Sequence, residues 1–324
     1  MPLEQRDIDL ALARWPELSG GTARLINVSE NQIYLIETPG NARFALRVHR
    51  PGYQSAPAIH SELAWLDALR TDTDVRISVP VPGIDGATLL AIPAPGGTVR
   101  HLALFHFVAG REPSPDDDLV GLFFTLGQYA AKLHTHATEW ARPPGFERPV
   151  WDGPSILDAA GLWGDWRIAP GVTTEINAVL HQVDAALRQQ LQAYGNHADR
   201  FGLIHADMRL GNLLVDGAAV TLLDFDDSGF CWFAYDFAAA VSFHETHANV
   251  PALKAAWLEG YRPIRALSDA DVAMMDTMVM LRRMALLAWI GTHAETRLAQ
   301  TYMNGFADGT AAMGERYLRG ELVF

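Results

Sequence analysis

Several widespread enzyme motifs are missing from this sequence. No G-x-x-x-x-G-K-[ST] segment is present, which excludes a P-loop enzyme, and no G-x-G-x-x-G follows a strand-like run. No G-x-S-x-G segment offers the nucleophile of an α/β-hydrolase. The chain holds a single cysteine, Cys231, so an intrachain disulfide is impossible, and this usage fits a reducing cytosol.

Positive charge is scarce as well. The chain has 25 Lys and Arg residues against 38 Asp and Glu residues, which gives a formal net charge of −13. A nucleic-acid binder usually carries a basic stripe, and none is visible here. An acidic surface suits a cationic small substrate, although many soluble proteins are simply acidic. We therefore expect a small-molecule partner and no nucleic acid.

Long hydrophobic runs are also missing. The first 18 residues have neither the basic start nor the apolar core of a signal peptide. The most apolar late stretch, residues 273–291, is interrupted by Asp276, Arg282 and Arg283, so it predicts a buried helix rather than a membrane span. We expect a cytoplasmic protein with no membrane partner, and the pattern leaves the oligomeric state open.

What is present divides into a β-rich part and a helical part. A chain of 324 residues suits two lobes better than one core. Strand-like apolar runs cover residues 22–28, 31–37, 43–50, 89–93 and 99–108. Between the third and fourth runs, Ile59, Leu63, Leu66 and Leu69 recur at helical spacing.

The character of the chain changes near Gly110, Pro113 and Pro115, which break regular structure. Helical periodicity then covers residues 119–138, 174–194, 236–245 and 269–294, with two short strand-like runs between residues 203 and 225. We predict an α+β chain with two lobes, residues 1–107 and residues 108–324.

One segment carries the chemistry. Asp207 follows His205 by two residues, Asn212 follows Asp207 by five, and Asp224 follows Asn212 by twelve. Phosphoryl transfer needs an oriented acceptor hydroxyl and a divalent metal that neutralises charge on the transferring group. A carboxylate on a loop accepts the hydroxyl proton, and an amide oxygen with a second carboxylate gives hard ligands for Mg²⁺. The alternative is a surface turn with three unrelated polar residues.

This spacing resembles the catalytic and metal-binding loops of the kinase superfamily, and it fits best the aminoglycoside phosphotransferase family. The resemblance implies a bilobal protein-kinase-like fold, with an antiparallel sheet plus a helix in the N-lobe and a mostly helical C-lobe. It implies that ATP and Mg²⁺ bind between the lobes, with Asp207 as catalytic base and Asn212 and Asp224 as magnesium ligands. Asp236 matches an aspartate that braces the catalytic loop in this family.

The same resemblance extends to the first lobe. Arg47 falls where such kinases place a lysine that holds the α- and β-phosphates, and Glu62 is its expected ion-pair partner, with a solvated helix face as the alternative. Backbone N–H groups around Ser29 and Asn31 match the loop that covers the nucleotide. The segment His106, Phe107 and Val108 resembles the hinge that contacts adenine, although it is also consistent with a plain buried strand end.

We expect the acceptor to be a hydroxyl group of a small polar molecule, with cationic molecules ranked above anionic ones. Arg209 occupies the place of a basic residue near the γ-phosphate in protein serine/threonine kinases, so a protein kinase of the stress-response type is the alternative, and a non-catalytic nucleotide-binding scaffold is a third possibility. Trp163, Asp165 and Trp166 would build either an aromatic and acidic pocket for a cation or a piece of core and surface.

Overall fold

The computed structural model of the protein describes residues 5–28, 31–93 and 99–322. Its chain divides into two compact units. The first unit consists of residues 1–111, 141–148 and 216–226, and the second of residues 112–140, 149–215 and 227–324. The first unit thus takes in two later segments in addition to the β-rich part, one of which carries Asp224.

The first unit is built on a five-stranded antiparallel sheet with the strand order β1-β2-β3-β5-β4. Alternate apolar side chains on β3, namely Phe44, Leu46 and Val48, are buried, as the period of a half-covered sheet requires. The strand bounds are β1 (Thr22–Val28), β2 (Gln32–Glu37), β3 (Arg43–Val48), β4 (Leu89–Pro93) and β5 (Val99–His106). All of the strands predicted for this part of the chain are confirmed, some of them one or two residues shorter.

The core of this unit gathers around Trp15, which is fully buried next to a helix that the sequence pattern did not predict, α1 (Gln5–Arg14). The indole Nε1 of Trp15 donates to the carbonyl of Val81 at 2.9 Å, so its polar atom is satisfied inside the core. The cluster is completed by apolar residues of the sheet and its connections, which include Leu18, Tyr34, Ile36, Leu46, Ile92, Leu102 and Leu104.

The predicted helix of the first unit is α2 (Ala56–Asp72). Ser55 caps it, because its hydroxyl accepts from the backbone N–H of Ala58 at 3.1 Å, and Pro57 occupies the first turn, where a missing N–H costs nothing. Leu63 and Leu66 are buried, and Glu62 shares their burial at 0% exposure. The solvated-face alternative for Glu62 is therefore wrong.

The second unit is mostly helical, as predicted. Its helices are α3 (Val120–Glu139), α4 (Gly153–Leu157), α5 (Thr174–Tyr194), α6 (Tyr235–Ala240), α7 (Val250–Tyr261), α8 (Asp269–Thr292), α9 (Arg297–Tyr302) and α10 (Phe306–Leu318). Two short strands, β6 (Phe201–Ile204) and β9 (Gly229–Trp232), pair antiparallel. Between them along the chain, β7 (Leu213–Asp216) and β8 (Ala219–Leu222), the latter in the first unit, flank a turn in which Gly217 has a φ of 58°. The α+β class is confirmed.

Helices α3 and α7 approach each other closely because each has a glycine at the crossing. A Cβ atom on Gly127 would overlap the backbone carbonyl of Trp257, and one on Gly260 would overlap that of Phe124. This crossing holds His134 of α3 beside Tyr261 of α7, which matters for the site described below.

Helix α6 is shorter than the sequence pattern predicted. Helical periodicity favoured a helix through residue 245, but α6 ends at Ala240. Phe243 then adopts a left-handed backbone conformation with a φ of 71°, which is uncommon for a side chain of its size. The turn buries Glu245, whose carboxylate pairs with Arg283 at 2.8 Å, and this tertiary contact overrides the local periodicity.

The buried helix predicted at residues 273–291 is confirmed as part of α8, most of whose side chains are buried. Within the described residues, no helix has the length and apolar character needed to cross a membrane.

Candidate active site

The loop that carries Asp207 follows β6 in the second unit and is held by a carboxylate. Asp236, at the start of α6, accepts from the backbone N–H of Ala206 at 2.7 Å and from that of His205 at 3.3 Å. Ala206 has a φ of 66°, a conformation that a non-glycine residue keeps only when its surroundings impose it. The bracing role predicted for Asp236 is confirmed.

Asp236 is in turn fixed by a buried network. His134 lies 3.0 Å from the Asp236 carboxylate through Nε2 and 2.8 Å from the Tyr261 hydroxyl through Nδ1. Burial lowers the pKa of His134 against the opposing effect of Asp236, so the ring is neutral near pH 7. A neutral ring donates from Nε2 and accepts the Tyr261 proton at Nδ1, which satisfies every member of the chain.

Asp207 itself is buried, and its carboxylate is enclosed by donors. Arg282 pairs with Oδ1, while the amide nitrogen of Asn212 lies 2.6 Å from Oδ2 and the Arg209 Nε lies 3.3 Å from the same oxygen. Burial by itself would raise the pKa of Asp207, but the charges of Arg282 and Arg209 outweigh it and hold that pKa below its usual value. The carboxylate is therefore ionised and oriented near pH 7.

Arg282 is the residue that the sequence pattern missed. Its guanidinium, 2% exposed, also donates to the Ala206 carbonyl at 3.1 Å and to the Ser242 hydroxyl at 3.0 Å. The Trp163 ring lies below it, with its centroid 4.8 Å away. The sequence feature that could have predicted this role is the pair of consecutive arginines, Arg282 and Arg283, in a mostly apolar helix. A buried guanidinium needs an anionic partner.

Asn212 lies on a 3₁₀ turn directly after Arg209. Its amide nitrogen donates both to the Asp207 carboxylate and to the Asp207 backbone carbonyl, at 2.6 Å and 2.9 Å. Both donor contacts use the nitrogen, so neither of them occupies the amide oxygen. That oxygen is a hard donor of the kind that suits Mg²⁺.

Gly211 makes room for the Arg209 side chain on the same turn. A Cβ atom on Gly211 would lie 3.2 Å from the Arg209 Cζ and 3.3 Å from Glu112 Oε1. The guanidinium of Arg209 therefore lies across the turn with Glu112 nearby, and its Nε reaches Asp207. Arg209 is thus a direct neighbour of the predicted base.

In the first unit, the predicted ion pair between Arg47 and Glu62 is confirmed. The two groups are 2.7 Å apart, with side chains 5% and 0% exposed. Arg47 also reaches the Asp224 carboxylate at 3.3 Å. Burial would lower the pKa of Arg47, but the surrounding carboxylates of Glu62, Asp226 and Asp224 raise it, so the guanidinium is charged at every relevant pH.

Asp224 and Asp226 are two residues apart but have different environments. Asp224 has a φ of 54°, and its side chain is 42% exposed. Asp226 is buried and accepts from the Asn31 amide at 2.9 Å. Burial, assisted by Glu62 and Asp224, raises the pKa of Asp226 to about 7. Of the two carboxylates, Asp224 is the one with an exposed side chain to offer a ligand.

The two residues predicted to cover the nucleotide differ in what the structure says of them. Ser29 lies outside the described residues. The side chain of Asn31 is 5% exposed, donates to Asp226 and accepts from the Arg50 backbone N–H at 3.1 Å. Its side chain therefore anchors this end of β2 within the first unit, and only its backbone is left to meet a phosphate.

At the predicted hinge, two of the three backbone N–H groups are already engaged. The N–H of His106 donates to the Val79 carbonyl at 3.0 Å, and that of Phe107 donates to the Arg43 carbonyl at 3.2 Å. Among the backbone hydrogen bonds of the described chain, the N–H of Val108 has none. If this segment meets adenine, the N–H of Val108 is the donor it presents.

Of the two alternatives for Trp163, Asp165 and Trp166, the structure supports core and surface. Trp166 is 0% exposed and packs edge-on against His181 with ring centroids 5.2 Å apart. Asp165 caps the turn before it and pairs with Arg167 at 3.0 Å. Trp163 also belongs to the core, but its ring packs against Arg282, the residue that pairs with Asp207. It therefore supports the predicted base indirectly.

Comparison with known proteins gives consistent results. The chain superposes on a solved microcompartment-associated aminopropanol kinase with a TM-score of 0.89 and 41% identity, and the match covers 99% of each chain. It is 30% identical over 249 residues to the homoserine kinase of Gluconobacter oxydans (strain 621H), covering 72% of this chain and 73% of that one. An amicoumacin kinase in complex with AMP-PNP, Ca²⁺ and Ami shares the fold, with a TM-score of 0.76 at 21% identity over 95% of this chain and 93% of that chain.

The fold of these neighbours confirms the predicted kinase-like class. The model of the phosphotransferase enzyme family, APH, matches residues 22–270, which include the sheet of the first unit, the Asp207 loop and most of the helices around it. This protein belongs to that family of phosphotransferases.

Proposed function

We propose that this protein transfers the γ-phosphoryl group of ATP to the hydroxyl group of a small amino alcohol. Membership of the family supports phosphotransfer to a hydroxyl, but a fold hosts many substrates and does not choose among them. The observation that carries the substrate class is the likeness to the aminopropanol kinase, which runs over 99% of both chains at 41% identity.

Asp207 is the general base of this reaction. Its carboxylate is ionised, because the pKa is held down by Arg282 and Arg209, and it is oriented by the hydrogen bond from Asn212. An ionised, oriented carboxylate accepts the proton of an alcohol as the new phosphorus–oxygen bond forms. An ammonium group would have to lose a proton first, so the hydroxyl rather than the amine of the acceptor is phosphorylated.

Arg47 and the magnesium ligands serve the nucleotide. Arg47 holds the α- and β-phosphates, and the ion pair with its buried partner Glu62 fixes the orientation of the guanidinium. Asn212 and Asp224 are the ligands that would hold Mg²⁺, because one has its amide oxygen available and the other has an exposed carboxylate. Bound Mg²⁺ neutralises charge on the phosphate oxygens.

Arg209 and the hinge segment complete the assignment. Arg209, beside Asp207, would stabilise charge on the transferred phosphoryl group, since its guanidinium is already next to the base. The carbonyl of His106 and the N–H of Val108 would contact adenine, with Phe107 between them. Asn31 would contribute its backbone, together with Ser29. We also propose a cytoplasmic location, which the single buried thiol of Cys231 supports.

The two other candidate functions have less support. Arg209 also suits a protein serine/threonine kinase, but two relatives with extensive likeness are named as kinases of the small hydroxyl compounds aminopropanol and homoserine. A non-catalytic scaffold has no need of an aspartate whose carboxylate is enclosed by three directed donors. The donors that orient the Asp207 carboxylate therefore favour an active kinase.

A coupled assay of ADP release tests the function. The purified protein is given ATP with Mg²⁺ and a panel of amino alcohols, diols, sugars, hydroxy acids, aminoglycosides and protein substrates, and phosphorus NMR identifies the product bond. We expect amino alcohols to be the best acceptors, a phosphate ester as product and no turnover with EDTA. In Asp207→Asn, turnover should fall by about 10²–10⁴-fold while ATP binding is retained. A phosphoramidate product, or a preference for proteins or hydroxy acids, would refute the proposal.

A further inference from the structure

A buried carboxylate in the second unit has one oxygen that the protein does not use. Glu245 lies in the turn after α6 and is 1% exposed. Its Oε2 pairs with Arg283 at 2.8 Å. Its Oε1 is buried and has no hydrogen-bond partner among the described residues. A buried carboxylate oxygen without a donor is costly, so a feature of this kind commonly marks a place where a ligand donates.

Arg283 holds the Glu245 carboxylate in place. Its guanidinium donates to Glu245, to the Thr310 hydroxyl at 3.0 Å and to the Phe306 carbonyl at 3.3 Å. One oxygen of Glu245 is thereby neutralised and fixed in position by the protein. The fixed orientation leaves the second oxygen preorganised for a donor from outside the protein.

Aromatic rings lie around the same turn. Phe243 stacks on Tyr302 with ring centroids 4.4 Å apart and an interplanar angle of 18°. Trp289 and Phe306 lie 6.3 Å and 6.2 Å from Phe243, centroid to centroid. Phe243, two residues before Glu245, has a left-handed backbone conformation with a φ of 71°. Aromatic faces and a carboxylate together are the chemistry that recognises an ammonium group.

Two routes connect this turn to the reaction centre, both within the second unit. On the first, the Ser242 hydroxyl accepts from Arg282, which pairs with Asp207. On the second, Arg209 contacts Asp207 at 3.3 Å, and the charges of Arg209 and Glu245 both shift the pKa of Tyr302, in opposite directions. Burial raises the pKa of Tyr302, Arg209 lowers it, and Glu245 and Glu112 raise it. Glu245 therefore lies in the same neighbourhood as the side chains that surround the base.

We propose that Glu245, with the stacked rings of Phe243 and Tyr302, binds the ammonium group of the amino-alcohol acceptor and so determines the preference of the enzyme for cationic alcohols. This inference rests on the proposed function, since it assigns a residue to the amino group of that substrate. A carboxylate in a desolvated, aromatic setting attracts a cation strongly. It binds a neutral diol more weakly and repels a hydroxy acid, which is anionic.

The test compares aminopropanol with propanediol of the same carbon skeleton, which differ in the ammonium group alone. In Glu245→Gln, the KM for aminopropanol should rise by about 10- to 100-fold, the range typical of a lost hydrogen bond to a charged group. The kcat and the KM for ATP should stay near wild type, and kcat/KM for propanediol should be unchanged or higher. The preference for aminopropanol over propanediol should therefore collapse.

Two further variants separate a binding role from a structural one. Glu245→Asp keeps the charge for Arg283 but withdraws the carboxylate by one methylene, so the KM for aminopropanol should rise several-fold with propanediol unaffected. Asp276→Asn is the matched control, because it removes another carboxylate of a buried ion pair, the one with Lys254 at 2.5 Å, and should leave the acceptor preference intact.

The two possible failures look different. If the wild-type protein shows no preference for aminopropanol over propanediol, the proposed substrate class is wrong and the role of Glu245 is overturned with it. If the wild type prefers aminopropanol and both Glu245 variants keep the wild-type KM and preference, phosphorylation of amino alcohols stands and the assignment of Glu245 is overturned alone.

Discussion

At the scale of single residues, the base Asp207 depends on arginines from very different places in the sequence. Arg209 is two residues away, whereas Arg282 is 75 residues away on α8. Arg282 ties the carboxylate to the backbone of its own loop, because it also donates to the Ala206 carbonyl. Orientation of the base is therefore a tertiary property, not a property of the loop.

We predict that Arg282→Gln lowers kcat by about 10- to 100-fold, less than the about 10²–10⁴-fold cost of losing the base, because Asp207 remains but is no longer held. Arg282→Lys keeps the charge but cannot reach three acceptors, so its kcat should be intermediate. The KM for ATP should change little in both. Steady-state kinetics would measure kcat and the KM for ATP of each variant. Circular dichroism would first locate the unfolding transition, so that the assays are run below it.

Lys254→Gln is the control for this prediction. Lys254 is also buried and paired with a carboxylate, that of Asp276, so its loss should lower stability without touching Asp207. A wild-type kcat in Arg282→Gln would show that Asp207 keeps its orientation through Asn212 and Arg209 alone.

The second prediction at this scale concerns Arg47. Arg47→Ala removes a charged donor from the phosphates, so the KM for ATP should rise by about 10- to 100-fold. Arg47→Lys should bind ATP better than the alanine variant, since a lysine restores the charge next to Glu62. Titration calorimetry with ATP and Mg²⁺ would measure both affinities.

Arg100→Gln is the matched control, because Arg100 is another buried arginine of the first unit and pairs with Asp7 at 3.5 Å. Its substitution should leave nucleotide affinity unchanged. Normal ATP affinity in Arg47→Ala would assign the Arg47–Glu62 pair to the stability of the first unit rather than to phosphate binding.

Local spacing explains which site residues were predictable. Asp207, Asn212 and Asp224 lie within 18 residues, and Arg47 and Glu62 lie within 16, so a short pattern names them. Arg282 and Glu245 carry no such pattern. In the sequence, Arg282 is a charged residue within an apolar helix, and Glu245 is a charged residue after an apolar run. Only the fold shows that Arg282 pairs with Asp207 and that Glu245 pairs with Arg283.

At the scale of elements, strands were predictable because each coincides with a short apolar run, and in β3 the apolar residues Phe44, Leu46 and Val48 also alternate. The end of α6 was not, because the apolar period continues past Ala240 while the backbone turns at Phe243. Helices α1, α7 and α10 were also missed. The nearly uniform apolar sequence of α7 gives a weak helical period, whereas α1 and α10 carry an amphipathic period that could have predicted them.

The crossing of α3 and α7 gives a prediction about stability. Gly127→Ala should lower the free energy of unfolding by about 1–3 kcal/mol, because the added methyl would overlap the Trp257 carbonyl and push the helices apart. The shift would also disturb His134 and Tyr261, which bridge the same two helices. Urea denaturation monitored by circular dichroism would measure the change.

Gly121→Ala is the control on the same helix. Nothing lies within 4 Å of a Cβ atom at Gly121, so alanine there should be neutral or stabilise by about 0.5–1 kcal/mol through its higher helix propensity. Equal stability of the two variants would mean that the crossing relaxes easily around a methyl group.

At the scale of the whole molecule, charge is the property that bears on function. The net charge of −13 creates a field that favours the approach of cations over anions. Individual carboxylates do not reveal this, since most are paired or solvated, and Asp276 with Lys254 is an example of a pair that contributes no net charge. The field and the local site act on the same substrate but have different salt dependences.

That difference leads to a prediction about ionic strength. From about 0.01 M to about 0.15 M salt the Debye length falls from about 30 Å to about 8 Å, so long-range attraction is screened while a desolvated contact is not. With saturating ATP and Mg²⁺, kcat/KM for aminopropanol should fall several-fold over this range, whereas that for propanediol should stay constant and so serve as the internal control. Preference for aminopropanol should nevertheless persist at high salt, because the remaining discrimination comes from the buried carboxylate of Glu245. A parallel fall for both acceptors would mean that salt acts on the nucleotide or on the protein itself, and a hydroxy acid that gains on aminopropanol at low salt would contradict the attraction of cations altogether.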